Sequence, residues 1–331
     1  MPLDRAFVTG GSGFAGRALL AELRRRNVSA RALVRSAAAE RIVRDAGVEP
    51  AHADLQDADA LQRVMAGCDV VFHAAAMVYW GDAAELQKVN VEGTKALLRA
   101  ACAAGVRRFV HVSTDAVLAG PAAIVNADER TAKPRDPYGP YALTKSLAED
   151  AVLAANRHGF ETVVVRPGFV WGAGDTTLLP GLVAAVRAGR YRWIDHGRYP
   201  ASFTHVCNAV EGLVLAAQHG HGGAIYFVTD GAPIAVRTFI TRMLETQGVT
   251  PGDRNIPRRH AWRLAGAVEA IWKAFRLKGP PPITRMVVKM WGEEFTVNDA
   301  KARQELGYVG RVSFDEGIQA MRAGVSTARA I

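Results

Sequence analysis

Cysteine is scarce in this sequence. The three present, Cys68, Cys102 and Cys207, lie far apart, and none sits in a C-x-x-C pair. That argues against a disulfide scaffold and a zinc ribbon and points to a reducing, cytoplasmic setting. Long apolar runs are missing too. No uncharged apolar stretch of 18 residues exists, so no membrane-spanning helix is expected. The first apolar run, Ala6-Phe7-Val8, leads straight into Thr9-Gly10-Gly11, which leaves no room for a signal peptide. No His/Cys/Asp/Glu cluster has metal-ligand spacing, so no metal is expected, and His73 reads as a satisfied strand-end histidine. Acidic residues are outnumbered, 32 against 41 Lys and Arg, for a formal charge of +9. A basic surface attracts nucleic acid, anionic lipid or phosphorylated ligands. The basic residues are scattered apart from Arg24-Arg25-Arg26 and Arg258-Arg259-His260, and no nucleic-acid-reading motif accompanies them. Nucleic acid is therefore not an expected partner.

What is present suffices for a full core: 49% of the 331 residues are apolar and 22% charged. The first half alternates short β-branched runs with longer helical segments. Ala6–Thr9, Ala30–Val34, Val70–His73, Phe109–Val112 and Thr162–Val165 read as buried strands. Phe14–Arg26, Ala84–Ala104 and Tyr141–Asn156 read as helices. Near-continuous apolar strands alternating with helices predict an α/β fold: a Rossmann-type, doubly wound parallel sheet that binds its ligand beyond the strands' carboxyl ends. After Arg166-Pro167-Gly168 the segments shorten and Gly and Pro become frequent. This divides the chain into a dinucleotide-binding domain at 1–166 and a smaller, mostly substrate-binding lobe at 167–331. Parts of 200–230, such as Phe203–Gln218 and Ala224–Thr229, are candidates to rejoin the sheet.

The first predicted strand runs into Gly10-Gly11-Ser12-Gly13-Phe14-Ala15-Gly16, and a helix follows. Glycine is needed in such a turn because a Cβ would block the tight bend, the approach of a pyrophosphate and the packing of helix on strand. The pyrophosphate then meets free N–H groups at the helix N-terminus. Gly10, Gly13, Phe14 and Gly16 are thus candidate cofactor residues. An NAD site usually places an acid about 20 residues on, against the ribose hydroxyls. The segment Ala30–Ser36 has none before Glu40, and Arg35 with Ser36 suits a 2′-phosphate instead, which favours NADP(H) over NAD(H).

Tyr141-Ala142-Leu143-Thr144-Lys145 opens a predicted helix, so the phenol and the ammonium share one face. A cation beside a phenol favours the phenolate, which readies it to exchange a proton with an alcohol or ketone near neutral pH. Ser113-Thr114 ends a predicted strand at the same carboxyl edge, where a hydroxyl can polarise the substrate oxygen. Thr114 is the first choice and Ser113 the second.

Taken together, these pieces resemble the extended short-chain dehydrogenase/reductase family. The matching segments are T-G-G-S-G-F-A-G (Thr9–Gly16), A-D-L (Ala53–Leu55), H-A-A-A (His73–Ala76), N-V-E-G-T (Asn90–Thr94), V-S-T-D-A-V (Val112–Val117), Y-A-L-T-K (Tyr141–Lys145) and R-P-G-F-V-W-G-A-G-D (Arg166–Asp175). The resemblance implies catalytic roles for Tyr141, Lys145 and Thr114. It also implies Asp54 and Leu55 near the adenine, Ala74, Ala75 and Ala76 along the cofactor, and Pro167, Gly168 and Val170 near the nicotinamide, with Lys145 on its ribose. Within the family, Ser202–Leu213, Tyr226–Gly231 and Ala302–Tyr308 are similar to the 3β-hydroxysteroid and sterol-4α-carboxylate dehydrogenase branch and to bacterial 2-alkyl-3-oxoalkanoate reductases. The resemblance therefore implies hydride transfer between nicotinamide and a bulky hydrophobic alcohol or ketone. A sugar-nucleotide epimerase and a non-catalytic NAD(P)-sensing regulator are the rivals. The glutamate that follows Thr-Asp in sugar-nucleotide dehydratases is absent, since Ala116 follows Asp115. A homodimer through the long helices is consistent with the resemblance.

In the second lobe, Trp262, Leu264, Ala265, Val268, Ile271, Trp272, Phe275 and Leu277 recur at helical spacing, interleaved with Arg258, Arg259, Arg263, Lys273, Arg276 and Lys278. Such a segment packs as core, caps an apolar pocket or lies on a lipid surface. A peripheral membrane contact through 258–278 is thus one expectation. Met77, Tyr79, Trp80 and Trp171 are candidate pocket residues for a hydrophobic substrate.

Overall fold

A computed structural model describes residues 3–329 except 56, 79–82, 276, 278 and 280; for 325–329 it describes the backbone alone. The chain starts with β1 (Arg5–Thr9), α1 (Phe14–Arg25), β2 (Ser29–Val34), α2 (Ala37–Asp45), β3 (Glu49–His52) and α3 (Ala58–Met65). Next come β4 (Val70–His73), α4 (Ala83–Leu86), a π-helical turn at Gln87–Glu92, α5 (Gly93–Ala103) and β5 (Arg108–Val112). A 3-10 turn at Asp115–Leu118, β6 (Ile124–Ala127), α6 (Pro140–Ala154) and β7 (Glu161–Pro167) follow. Then come β8 (Phe169–Trp171), α7 (Leu179–Arg187), β9 (Trp193–Ile194), β10 (Pro200–Ala201), β11 (Phe203–His205), α8 (Val206–His219) and β12 (Ile225–Val228). The chain closes with β13 (Ile234–Ala235), α9 (Val236–Glu245), β14 (Asn255–Ile256), α10 (Arg258–Ala274), α11 (Arg285–Trp291), β15 (Phe295–Val297), α12 (Ala300–Leu306) and α13 (Phe314–Arg329).

Seven strands form one parallel sheet in the order β12-β7-β5-β4-β1-β2-β3. Strand alternation decides which side chain meets which helix layer. In β1, Ala6 and Val8 join a core with Leu19 and Leu23 of α1, Val43 of α2 and Leu213 of α8. Phe7, between them, joins the opposite core with Leu61 of α3, Leu97 of α5 and Val152 of α6. Val70 and Phe72 of β4 face the first layer and Val71 the second. Both faces are covered, as the apolar strands predict for a Rossmann-type sheet. The order reverses at β1, so the crevice between the carboxyl ends of β1 and β4 is the switch point where such sheets take a ligand.

Strand pairing crosses the line between residues 166 and 167 in both directions. Ile225–Val228 completes the large sheet beside β7. Ile124–Ala127 leaves it for a four-stranded sheet ordered β13-β10-β15-β6. Phe203–His205 pairs with Phe169–Trp171 outside the main sheet, and only the helix that follows it packs on that sheet. The helix expected over Ala84–Ala104 is interrupted by the π-turn at Gln87–Glu92. No helix among the described residues is long and apolar enough to cross a membrane.

Candidate active site

The glycine turn sits at the switch point and is tight for identifiable reasons. Gly10 has φ +74°, and a Cβ there would lie 2.6 Å from the Ala75 nitrogen and 2.8 Å from the Ala74 carbonyl carbon. A Cβ on Gly16 would fall 2.0 Å from the Gly10 oxygen. Gly10 therefore lets β1 approach the loop after β4, and Gly16 lets α1 pack on the turn. Gly13 caps α1 without a side-chain hydrogen bond, and the first turn carries no acid. The leading N–H groups of α1 thus keep their attraction for a phosphate, which is the fit a dinucleotide requires.

A buried hydrogen-bond chain ties this crevice together. Thr94 gives its hydroxyl proton to the Asn90 carbonyl at 2.6 Å, so its oxygen accepts from His73 Nε2 at 2.8 Å. His73 Nδ1 then accepts from the Thr9 hydroxyl at 2.7 Å, and Thr9 Oγ1 accepts the Ala75 N–H at 3.3 Å. Burial pushes His73 down to about 3, so it is the neutral ring this arrangement needs. The wider π-turn aims Asn90 at the same loop. Its amide accepts the Met77 N–H at 2.7 Å and donates to the Met77 carbonyl at 3.0 Å and to Thr144 Oγ1 at 3.2 Å. Asn90 therefore joins the loop carrying Ala74–Met77 to α6.

Tyr141 and Lys145 lie on the buried side of α6, exposed by only 8% and 2%. Lys145 Nζ donates to the Val112 carbonyl at 2.6 Å and to His111 Nε2 at 3.2 Å, which places the ammonium at the carboxyl end of β5. Burial pushes Lys145 down to about 8, with Glu149 opposing. Burial also holds His111 well below its ordinary value, with Lys145 adding to the effect, so the imidazole is a neutral acceptor.

Glu149, one further turn along α6, is fully buried. It takes Arg166 of β7 in a two-pronged contact at 2.6 and 3.0 Å, Lys133 at 3.1 Å and the Ser113 hydroxyl at 2.8 Å. Burial alone would raise its carboxyl, but Arg166, Lys133 and Ser113 hold it below its ordinary value. This clamp helps fix the rotation of α6 that brings Lys145 to the carboxyl end of β5. Ser113 is therefore committed to Glu149. Thr114, half-exposed, caps the 3-10 turn by accepting the Ala116 N–H at 3.2 Å, and its hydroxyl donates to Asp115 at 3.2 Å. Burial raises Asp115 to about 7.

The remaining candidates are spread along the same edge. Arg35 is exposed at the end of β2, and Ser36 caps α2 by accepting the Ala39 N–H at 3.2 Å. Asp54 is exposed beyond β3, while Leu55 lies against the start of α5, where a Cβ on Gly93 would meet its methyl at 3.1 Å. Pro167 ends β7, and Val170 pairs with Thr204. Gly168 is required by its own chain: a Cβ would lie 2.7 Å from the Ser202 carbonyl oxygen. Trp171 needs correction as a pocket residue. It is completely buried, its indole N–H donates to Asp230 at 2.7 Å, and its ring packs on His205, Phe239 and Phe314. Its surface is spent on core. Tyr79 and Trp80 lie outside the described residues. Among the described residues no group of three or more His, Cys, Asp or Glu could hold a metal. A depression of about 630 Å³ beside the edge strand, lined by Glu129, Lys301 and Gln304, contains none of the candidate catalytic or cofactor residues.

Asn90, His111, Glu149 and Arg166 were not singled out as site residues from sequence. The available signal was the i, i+4, i+8 series Tyr141-Lys145-Glu149, which puts a charged residue on a face that must be buried.

Comparison with known proteins identifies the family. The family model described as the 3-beta hydroxysteroid dehydrogenase/isomerase family matches residues 7–258. The chain is 48% identical over 319 residues to a 4-hydroxy-2-methyl-3-oxo-4-farnesyl-3,4-dihydroquinoline-1-oxide ketoreductase of Stigmatella aurantiaca, covering 96% of each. It is 34% identical to a 2-alkyl-3-oxoalkanoate reductase of Stenotrophomonas maltophilia, covering 96% of this chain and 98% of that one. A solved UDP-glucose 4-epimerase of Thermotoga maritima superposes with TM-score 0.76 at 18% identity, covering 98% and 99%, a likeness of fold alone. The chain belongs to the 3-beta hydroxysteroid dehydrogenase/isomerase family of extended short-chain dehydrogenases/reductases, and it is a nicotinamide-dependent oxidoreductase of the alcohol–ketone couple.

Proposed function

We propose that this enzyme reduces a ketone on a bulky hydrophobic substrate with NADPH, and that Tyr141, Lys145 and Thr114 carry the reaction. The observation that carries this reading is the buried Tyr141–Lys145 pair, whose ammonium rests on the Val112 carbonyl at the carboxyl end of β5. Gly10, Gly13, Phe14, Gly16 and the loop Ala74–Ala76 would hold the dinucleotide. When bound, its nicotinamide supplies or accepts a hydride. Tyr141 gives the substrate oxygen its proton, and the Thr114 hydroxyl polarises that oxygen. Lys145 keeps a positive charge beside the phenol and reaches the cofactor ribose. Two features favour NADPH. Arg35 is exposed at the end of β2, and Glu40, the first acid after that strand, is engaged by Arg44 at 2.8 Å.

Both relatives named above as reductases carry, in those names, an oxo group with an alkyl or farnesyl substituent nearby. We therefore assign this chain a ketone flanked by an alkylated carbon. The absence of a glutamate after Asp115 weighs against sugar-nucleotide chemistry. NADPH oxidation should be followed with a 2-alkyl-3-oxoalkanoate, a prenylated quinolone ketone, a 3-oxosteroid and UDP-glucose. Stoichiometric cofactor oxidation with at least one hydrophobic ketone is expected. Epimerisation of UDP-glucose without net cofactor oxidation, and no turnover of the ketones, would overturn the reading.

A further inference from the structure

We propose that the outward face of α10 and the segment after it dock on an anionic lipid bilayer. The helix is built the wrong way round for a helix that serves only the core. Its inner side is served by Ala261 and Ala265, fully buried, and by the half-buried Trp262, Val268 and Trp272, yet further large apolar residues point outward. Leu264 is 48% exposed, Ile271 46%, Phe275 73% and Leu277 45%. Leu264, Ile271 and Phe275 fall at i, i+7 and i+11, within about 20° of one line along a helix. Half of the large exposed apolar side chains in the described structure lie within these 14 residues. A continuous apolar line on the surface of a chain marks a contact with something apolar.

Charge identifies the partner. Residues 258–278 contain six Arg or Lys against a single acid, Glu269, in a chain whose whole formal charge is +9. Glu269 accepts the Arg285 N–H at 2.8 Å and faces its guanidinium. Arg259, Arg263 and Lys273 are exposed and form no ion pair among the described residues. An exposed apolar stripe on a basic helix, flanked by Arg263 about 100° round from it, fits an anionic membrane surface, where the apolar groups enter the headgroup boundary and the cation meets lipid phosphate. An acidic protein partner would satisfy the cations but leave Phe275 and Ile271 without a matching phase. The opposite side of the helix reaches the catalytic segment: Trp262 stacks edge-on against Tyr138 at 5.0 Å, three residues before Tyr141. Docking would thus hold the reaction centre close to where a hydrophobic ketone is dissolved.

The test uses the full chain in vesicle flotation, with phosphatidylcholine alone and with phosphatidylcholine containing about one quarter phosphatidylglycerol. The expected result is binding to the anionic vesicles about tenfold above the neutral ones, lost in high salt. The double variant Ile271→Asp/Phe275→Asp should lower anionic-vesicle binding about tenfold or more, with unchanged circular dichroism and unchanged turnover of a water-soluble ketone. A single charge variant, Arg263→Glu, should weaken binding in the same direction. Equal flotation of wild type and double variant overturns the proposal, as does failure of the wild type to bind. So does a wild-type dimer in sedimentation that the variant dissolves without any vesicle binding, since a second copy would then cover the face. Flotation does not depend on turnover, so its failure and the failure of the proposed reaction are read separately.

Discussion

The carboxyl edge of the large sheet and the outer face of α10 are opposites. At the sheet edge, polar groups are buried and bonded to one another: Thr9, His73, Thr94 and Asn90 form one chain, and Ser113, Glu149, Arg166 and Lys133 another. On α10, large apolar groups are exposed, and Arg259, Arg263 and Lys273 lack ion-pair partners among the described residues. Each buried polar group at the edge is worth little unless its partner is in place, so the arrangement is rigid and intolerant of change. The α10 face owes almost nothing to the fold and is free to serve a contact outside the molecule. A reaction centre and an adhesive surface can therefore be told apart by whether their groups are satisfied within the chain.

That contrast can be broken from either side, beginning with the strongest effect. Tyr141→Phe should lower turnover about 10²–10⁴-fold. Cofactor affinity, read by fluorescence quenching or thermal shift, should be unchanged. Glu149→Ala strands Arg166 in the interior, and urea unfolding should show a loss of about 3–5 kcal/mol. Arg35→Ala should raise the KM for NADPH about 10–100-fold and leave that for NADH nearly constant, the loss expected for charge-assisted bonds to a phosphate. A pH profile sharpens the picture further. Reduction needs the Tyr141 proton and the Lys145 charge, and burial holds Lys145 at about 8. The rate of ketone reduction should be full below that pH and fall as pH rises through it, because the ammonium that stabilises the Tyr141 phenolate is then lost. The smallest effect is expected on α10: Phe275→Ser should change the unfolding free energy by less than about 0.5 kcal/mol. A large loss of stability there would make the face structural and erase the contrast.

Much of the sheet was legible because its signals are local. Ala6-Phe7-Val8 followed by Gly10–Gly16 specifies strand, turn and helix within a dozen residues, and the apolar runs around Val71, Val110 and Val164 announce strands covered on both faces. The β3 strand, Glu49–His52, and its flanking helices gave no such apolar run and were not foreseen. Trp171 shows the limit most clearly. It stood as a candidate pocket residue, but alternation along β8 turns neighbouring side chains to opposite faces and sends the indole into the aromatic cluster around Phe239. Thr114 was the first choice and Ser113 the second, a ranking that rested on the resemblance. In the fold Glu149 engages Ser113, whereas Thr114 bonds within its own turn to Asp115 and Ala116.

The amino-acid sequence by itself determined the glycine turn, the one-turn spacing of Tyr141 and Lys145 and the alternation that makes a parallel sheet, because each depends on neighbours a few residues apart. Only the tertiary structure decided that Glu149 meets Arg166 across 17 positions, that His111 supports Lys145 from another element, and that α10 turns Phe275 outward. Those outcomes depend on which surfaces pack against each other, and packing is settled by the whole chain at once.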